Sequence, residues 1–80
     1  MKRVLFVCLG NICRSPMAEG LMRAYSQEQG VPLVVDSAAT SAWEVGNPPH
    51  QGTAKILRQA SIDMSGMRAR QIRPEDWQKY

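Results

Sequence analysis

The stretch Arg3-Val4-Leu5-Phe6-Val7-Cys8, followed by Leu9-Gly10-Asn11-Ile12-Cys13-Arg14 and then by Ser15-Pro16, constrains the fold more than any other part of the chain. Val4 to Cys8 is a short apolar run rich in β-formers without polar alternation, the pattern of a strand buried on both faces of a parallel sheet. Gly10 and Asn11 tolerate positive φ, so the chain can turn sharply straight after this strand. Ser15 then offers the side-chain oxygen of a helix N-cap, and Pro16 the preset φ of a first helical residue. Met17, Leu21 and Tyr25, with Met22 beside them, recur at helical spacing and read as the packing face of that helix. Gly30 is its stop. Val31 to Val35 follows as a second strand, because Pro32 suits only the first positions of one. Strand, helix and strand in this order imply a right-handed parallel crossover.

Asp36 to Pro49 has the composition of a long loop, with Asp36 capping a turn beside Ser37. Thr53, Ile56, Leu57 and Ala60 then mark a second helix at i, i+3, i+4, i+7. Ser61 to Arg73 is turn-like and basic, and Pro74-Glu75-Asp76-Trp77 resembles the first turn of another helix, with acids near its positive end. Only two strands are legible, fewer than a parallel sheet with both faces covered normally has. The expected fold class is therefore α/β: an open parallel sheet flanked by helices in a Rossmann-like three-layer arrangement, incomplete in this chain. Residues 1–80 read as the N-terminal part of a single domain, whose unfinished sheet edge invites self-association.

Composition excludes several function classes. With 44% hydrophobic and 21% charged residues the chain is globular rather than disordered. Its net charge of +3 comes from basic residues spread along the sequence, and its two Trp, two Tyr and one Phe offer few bases a stacking partner, so no nucleic-acid partner is expected. The mild positive balance would still attract an anionic substrate. The apolar run after Met1-Lys2-Arg3 is too short for a signal peptide, and no stretch is long enough to span a membrane. Two cysteines so close together make no disulfide framework, which favours a reducing cytoplasm. A single histidine and the absence of a second cysteine pair argue against zinc, and no other cofactor is implied.

The loop carries the chemistry. A Cys and an Arg six positions apart are weak evidence alone, and the context of strand, flexible loop and helix start makes them a motif. Amides of Leu9, Gly10, Asn11, Ile12, Cys13, Arg14 and Ser15 can turn inward as a nest, beside the unpaired N–H groups and positive dipole end of a helix. Arg14 adds a planar fork that holds two phosphate oxygens. The same surroundings favour thiolate over thiol and make Cys8 a nucleophile. Ser15 could hydrogen-bond that thiolate. Loop donors and Arg14 would stabilise charge on a transferring phosphoryl group.

The run from Val4 to Glu19, VLFVCLGNICRSPMAE, closely resembles the signature loop of low-molecular-weight protein tyrosine phosphatases. The resemblance continues through Asp36-Ser37, Trp43, Val45-Gly46, Pro49 and Ala69-Arg70-Gln71, over about half the length of a usual family member. It implies hydrolysis of phosphotyrosine proteins or small aryl phosphates through a phosphocysteine on Cys8, with Arg14 binding the phosphate. It also implies that Asn11 adopts αL and shapes the loop with Ser15 and Ser37 as partners, and that Trp43 walls the substrate ring. Three departures stand out. His50-Gln51-Gly52 replaces a common Asp-Pro-Arg, and Gly66 replaces a common His, which removes a partner for Asn11. No Asp-Pro-Tyr segment supplying the family's general acid is present, and none of Asp36, Asp63 or Asp76 lies in one.

Blander readings stand beside these. Cys8 could be a buried structural cysteine. Cys13 is either loop filler or a partner that pairs with Cys8 on oxidation. Trp43 is either packing or a ligand contact. Two alternative functions are an arsenate reductase of the same fold, which needs a further resolving thiol, and a non-catalytic phosphate-binding fragment.

Overall fold

The computed structural model describes residues 2–80. Its elements run β1 (Lys2–Cys8), α1 (Arg14–Gln29), β2 (Leu33–Ala39), α2 (Gln51–Gln59) and α3 (Asp76–Lys79). The two strands pair in parallel from Lys2 opposite Leu33 to Cys8 opposite Ala39. The expected α/β crossover is present, and α1 packs on both strands and on α2.

Several local expectations are corrected. The second strand is Leu33–Ala39 rather than 31–35, so Asp36 and Ser37 lie in a strand and not in a turn. The seven-residue parallel ladder with β1 decides this over the polar composition of the segment. Ala39 also makes a bridge to Gln71 on its other side, through Ala39 N to Arg70 O at 2.7 Å and Ile72 N to Ala39 O at 2.8 Å. That bridge begins a third pairing. No residue of β1 is fully buried, and Val7 is 44% exposed. The run is as apolar as a central strand requires, but among the described residues β1 has a partner on one edge only.

Helix α1 starts at Arg14 with Cys13 as its N-cap, so Ser15 is not the cap and its hydroxyl is free for other partners. The end at Gly30 is as expected, in αL with φ 68. The packing face is not the apolar stripe. Leu21 and Tyr25 are 44% and 58% exposed, whereas Pro16, Glu19 and Gly20 are buried. Close approach explains the preference for a small residue. A Cβ at Gly20 would stand 3.0 Å from Leu57 Cδ2 and 3.2 Å from Ile62 Cγ2, so a larger residue would push α2 off the helix. Leu57, fully buried, joins Val35, Ala38, Ala39, Met67 and Ala69 in the core. On α2, Thr53 and Leu57 face inward while Ile56 is 45% exposed. His50 is the α2 N-cap, its Nδ1 accepting from Gly52 N at 3.2 Å.

The last turn is clipped to the sheet by charge. Arg70 holds Asp76 bidentately at 2.9 and 3.1 Å and reaches Asp36 at 3.1 Å, while Tyr80 OH donates to the same Asp36 oxygen. The Arg70 hydrogen bond, with the Arg73 N–H, holds the Asp76 carboxyl down at about 2. A carboxylate depressed on folding stabilises above its ordinary pKa and loses that contribution as pH falls through the folded value. Amide protection at Arg73, whose N–H donates to Asp76 at 2.8 Å, should therefore fall between about pH 4 and pH 2. Protection there that does not change across this window would show that the clip contributes nothing.

Candidate active site

Strand β1 delivers Cys8 to its C-terminal end, and the chain reverses at once through Asn11, which sits in αL with φ 59 and is 4% exposed. Three side-chain bonds tie the Asn11 amide. Nδ2 donates to Ser15 Oγ and to Ser37 Oγ, both at 2.8 Å, and Oδ1 accepts from Arg70 N at 3.0 Å. The Ser15 and Ser37 partnerships implied by the resemblance are thus in place. Gly66 leaves no gap in this wiring, because the Arg70 amide serves the Asn11 oxygen. Among the described residues no buried side-chain nitrogen or oxygen lacks a partner.

The sulfur is surrounded by donors. Cys8 Sγ lies 2.9 Å from Ser15 Oγ and accepts from Asn11 N at 3.2 Å. Because Ser15 Oγ already accepts from Asn11, its own hydrogen is left for the sulfur. Burial pushes the thiol up, but the Ser15 hydroxyl and the N–H groups of Ser15, Asn11 and Gly10 outweigh it and hold Cys8 below its ordinary value.

Four carbonyls of the loop segment are tied to groups outside it. Cys8 O accepts from Thr40 N at 2.9 Å, and Leu9 O from Ser41 N at 3.1 Å and Ser41 Oγ at 2.8 Å. Ile12 O accepts from His50 N at 2.6 Å, and Cys13 O from Thr53 Oγ1 at 3.1 Å. Among the described residues, the amides of Ile12, Cys13, Arg14 and Ser15 donate to no carbonyl outside the helix, and those at a helix start have none within it. A loop with these carbonyls tied elsewhere and amides free suits an anion.

Arg14, the first residue of α1, is exposed and makes no ion pair among the described residues. It lines a shallow cavity of about 350 Å³ with Phe6, Val7, Cys8, Leu9, Ser15 and Ala18. None of Asp36, Asp63 and Asp76 lines that cavity. Asp36 and Asp76 are held by Arg70, and Asp63 accepts from Ser65 N. Trp43 is 78% exposed on the loop that Ser41 ties to Leu9, outside the cavity wall. Cys13 is an exposed free thiol, as Cys8 is a partly buried one. A second cleft of about 740 Å³ lies behind the loop, where Asn11, Glu19, Arg23, Ser37 and Gly66 meet, and shares no residue with the first.

Three residues that the sequence did not single out belong to this arrangement. Glu19, 7% exposed, accepts from Ser37 Oγ at 2.5 Å. Arg23 pairs with Glu19 and donates to Val35 O, both at 2.6 Å. Thr53 anchors the loop carbonyl from α2. The Glu19 and Arg23 spacing of i, i+4 was a legible signal for their pairing. Nothing in the sequence pointed from Thr53 to Cys13.

Comparison with known proteins agrees with this geometry. The family model described as low molecular weight phosphotyrosine protein phosphatase matches residues 3–80. The low molecular weight protein-tyrosine-phosphatase YfkJ of Bacillus subtilis is 51% identical over 78 residues, covering 95% of this chain and 50% of the relative. PtpA of Staphylococcus epidermidis is 51% identical over 77 residues, again covering 50% of its own length. The crystal structure of YfkJ superposes with a TM-score of 0.96 at 49% identity, over 100% of this chain and 52% of that one. The chain thus spans about half the length of the curated relatives it matches. With a family match across nearly every residue and the same backbone path as a solved member, the chain belongs to the low molecular weight phosphotyrosine protein phosphatases.

Proposed function

We propose that this chain carries the phosphate-cleaving centre of a protein tyrosine phosphatase, with Cys8 as nucleophile and Arg14 as the phosphate-binding fork. The observation that carries the reading is the pair of donors on the Cys8 sulfur, Ser15 Oγ at 2.9 Å and Asn11 N at 3.2 Å, in a loop whose carbonyls are held elsewhere. The thiolate attacks phosphorus, so that an S–P bond forms and the aryl P–O bond breaks. The amides from Leu9 to Ser15 and the Arg14 guanidinium stabilise the equatorial oxygens. Water then attacks phosphorus, the S–P electrons return to sulfur, and phosphate leaves. The Ser15 hydroxyl makes the thiolate a better leaving group in this second step. Substrates are phosphotyrosine proteins or small aryl phosphates, with Trp43 as the side chain available to meet the ring. The two free thiols suit a reducing cytoplasm, and the outer edge of β1, without a partner among the described residues, leaves room for self-association.

With no carboxylate on the cavity wall, the aryl oxygen departs from this chain without a positioned acid, which commonly costs ~10²–10⁴-fold. That favours p-nitrophenyl phosphate, whose leaving group needs no proton, over phenyl phosphate. The same observation supports a second reading, a phosphate-binding element without turnover. Acid quenching of the chain during reaction with p-nitrophenyl phosphate, followed by peptide mass spectrometry, separates the two. The phosphate should be found on Cys8. Phosphate on Cys13, or on neither cysteine with no product released, would sink the covalent mechanism.

A further inference from the structure

We infer that Glu19, anchored by Arg23, is a positioning residue for the Cys8 thiolate and acts through Ser37, Asn11 and Ser15 rather than through its own charge. The inference rests on the reading of Cys8 as the nucleophile. Each hydrogen bond in the chain has a forced direction. An ionised carboxylate only accepts, so the Ser37 hydroxyl donates to Glu19 at 2.5 Å. The Ser37 lone pairs are then free for Asn11 Nδ2 at 2.8 Å. The Arg70 amide on Asn11 Oδ1, at 3.0 Å, holds the amide the same way round. The other Nδ2 hydrogen therefore meets Ser15 Oγ at 2.8 Å, and the Ser15 hydrogen is left for the sulfur at 2.9 Å.

Arg23 completes the device. By bridging Glu19 Oε2 and the Val35 carbonyl, both at 2.6 Å, it ties the carboxylate to β2 and neutralises a group that is only 7% exposed. Gly66 brings no side chain to this chain of bonds, and a Cβ built on it meets no atom within 4 Å.

Glu19→Gln tests the role because two explanations predict opposite signs. Removing a negative charge near a thiolate acts by Coulomb's law alone to lower the thiol pKa. Breaking the chain raises it. Arg23 must keep an acceptor, so the new amide turns its oxygen to Arg23 and its N–H to Ser37, whose own hydrogen then has no acceptor. With its hydrogen unpaired the Ser37 hydroxyl is no longer fixed, its hold on Asn11 weakens, and Ser15 is held less firmly against the sulfur. The readout is the pH dependence of Cys8 alkylation by iodoacetamide in the full chain, resolved from Cys13 by peptide mass spectrometry. Arg14, which lines the cavity with Cys8, and Glu44, whose Cγ stands 3.4 Å from a Cβ built on Gly10, are unchanged.

The apparent Cys8 pKa is expected to rise by about one unit, the scale of one hydrogen bond to a charged group. Ser37→Ala should produce a similar rise, and adding Glu19→Gln to it should raise Cys8 no further. A downward shift overturns the inference, as does an equal shift with and without Ser37. If Glu19→Gln does not fold, Arg23→Gln reports on the same link. Its upward shift must shrink in the Ser37→Ala background to what loss of the Arg23 charge alone gives, and a shift of undiminished size there overturns the inference. Because alkylation is measured, a chain that shows these shifts yet never cleaves phosphate keeps the positioning role and loses the phosphatase reading.

Discussion

Cys8→Ser should reduce aryl phosphate hydrolysis by ~10⁴-fold or more, the scale on which enzymes lose a covalent nucleophile, while phosphate binding persists. A serine hydroxyl at this position is not ionised near neutral pH, so the donors that favour a thiolate have no anion to stabilise. The groups proposed to hold phosphate are untouched, because Arg14 and the free amides belong to α1 and the loop. Titration with inorganic phosphate should therefore give nearly the same affinity for Cys8→Ser as for the parent chain, and slightly better if the lost thiolate repels the ligand. Arg14→Ala is the complementary variant, in which binding falls together with turnover. Equal hydrolysis rates for the parent chain and Cys8→Ser would remove Cys8 from the mechanism. Loss of phosphate binding in Cys8→Ser would mean that the sulfur organises the loop rather than attacking from it.

Asn11→Ala has the largest expected effect on stability. The side chain is 4% exposed and makes bonds to Ser15, Ser37 and Arg70, spanning β1, α1, β2 and the segment before α3. Truncation leaves these partners short of a bond in a buried place, where each unsatisfied group costs about 1–3 kcal/mol. A net loss of roughly 3 kcal/mol corresponds to about 12–24 °C in the melting temperature of a domain this small. The backbone contributes separately, since φ 59 at this residue is costly for alanine and easy for glycine. Asn11→Gly should therefore be more stable than Asn11→Ala by about 1 kcal/mol, with the same rise in the Cys8 pKa. Thermal melts of the two variants decide this. If both melt like the parent chain, the three bonds hold nothing that matters for folding.

Much of the site was legible because its signals are local. A β-forming run ending in Cys, a Gly-Asn turn and a helix start within a few residues require no knowledge of the rest of the fold. The tolerance of Asn11 for positive φ was readable there and the residue is in αL, whereas the helix start was read two residues late, with Ser15 as cap in place of Cys13. The helix stop at Gly30 was legible for the same reason. Where composition and packing disagreed, packing prevailed. Leu21 and Tyr25 have the right spacing for a core, yet Gly20 lies against Leu57 because only a residue without a side chain permits that approach. Asp36 and Ser37 have turn chemistry, yet the ladder with β1 extends through both.

Sequence alone placed Cys8 at the end of a strand and Arg14 beside it across a short loop, so that both line one cavity, the proposed phosphate site. That outcome depends on residue types and spacing within one turn of chain. Only the tertiary structure decided what else holds the loop in shape: Glu19 and Arg23 from α1, Thr53 from α2 and the Arg70 amide. These partners lie up to 59 residues from the loop residue they serve. No local pattern ties such positions together, and they meet only once the strands have paired and α1 has settled across them.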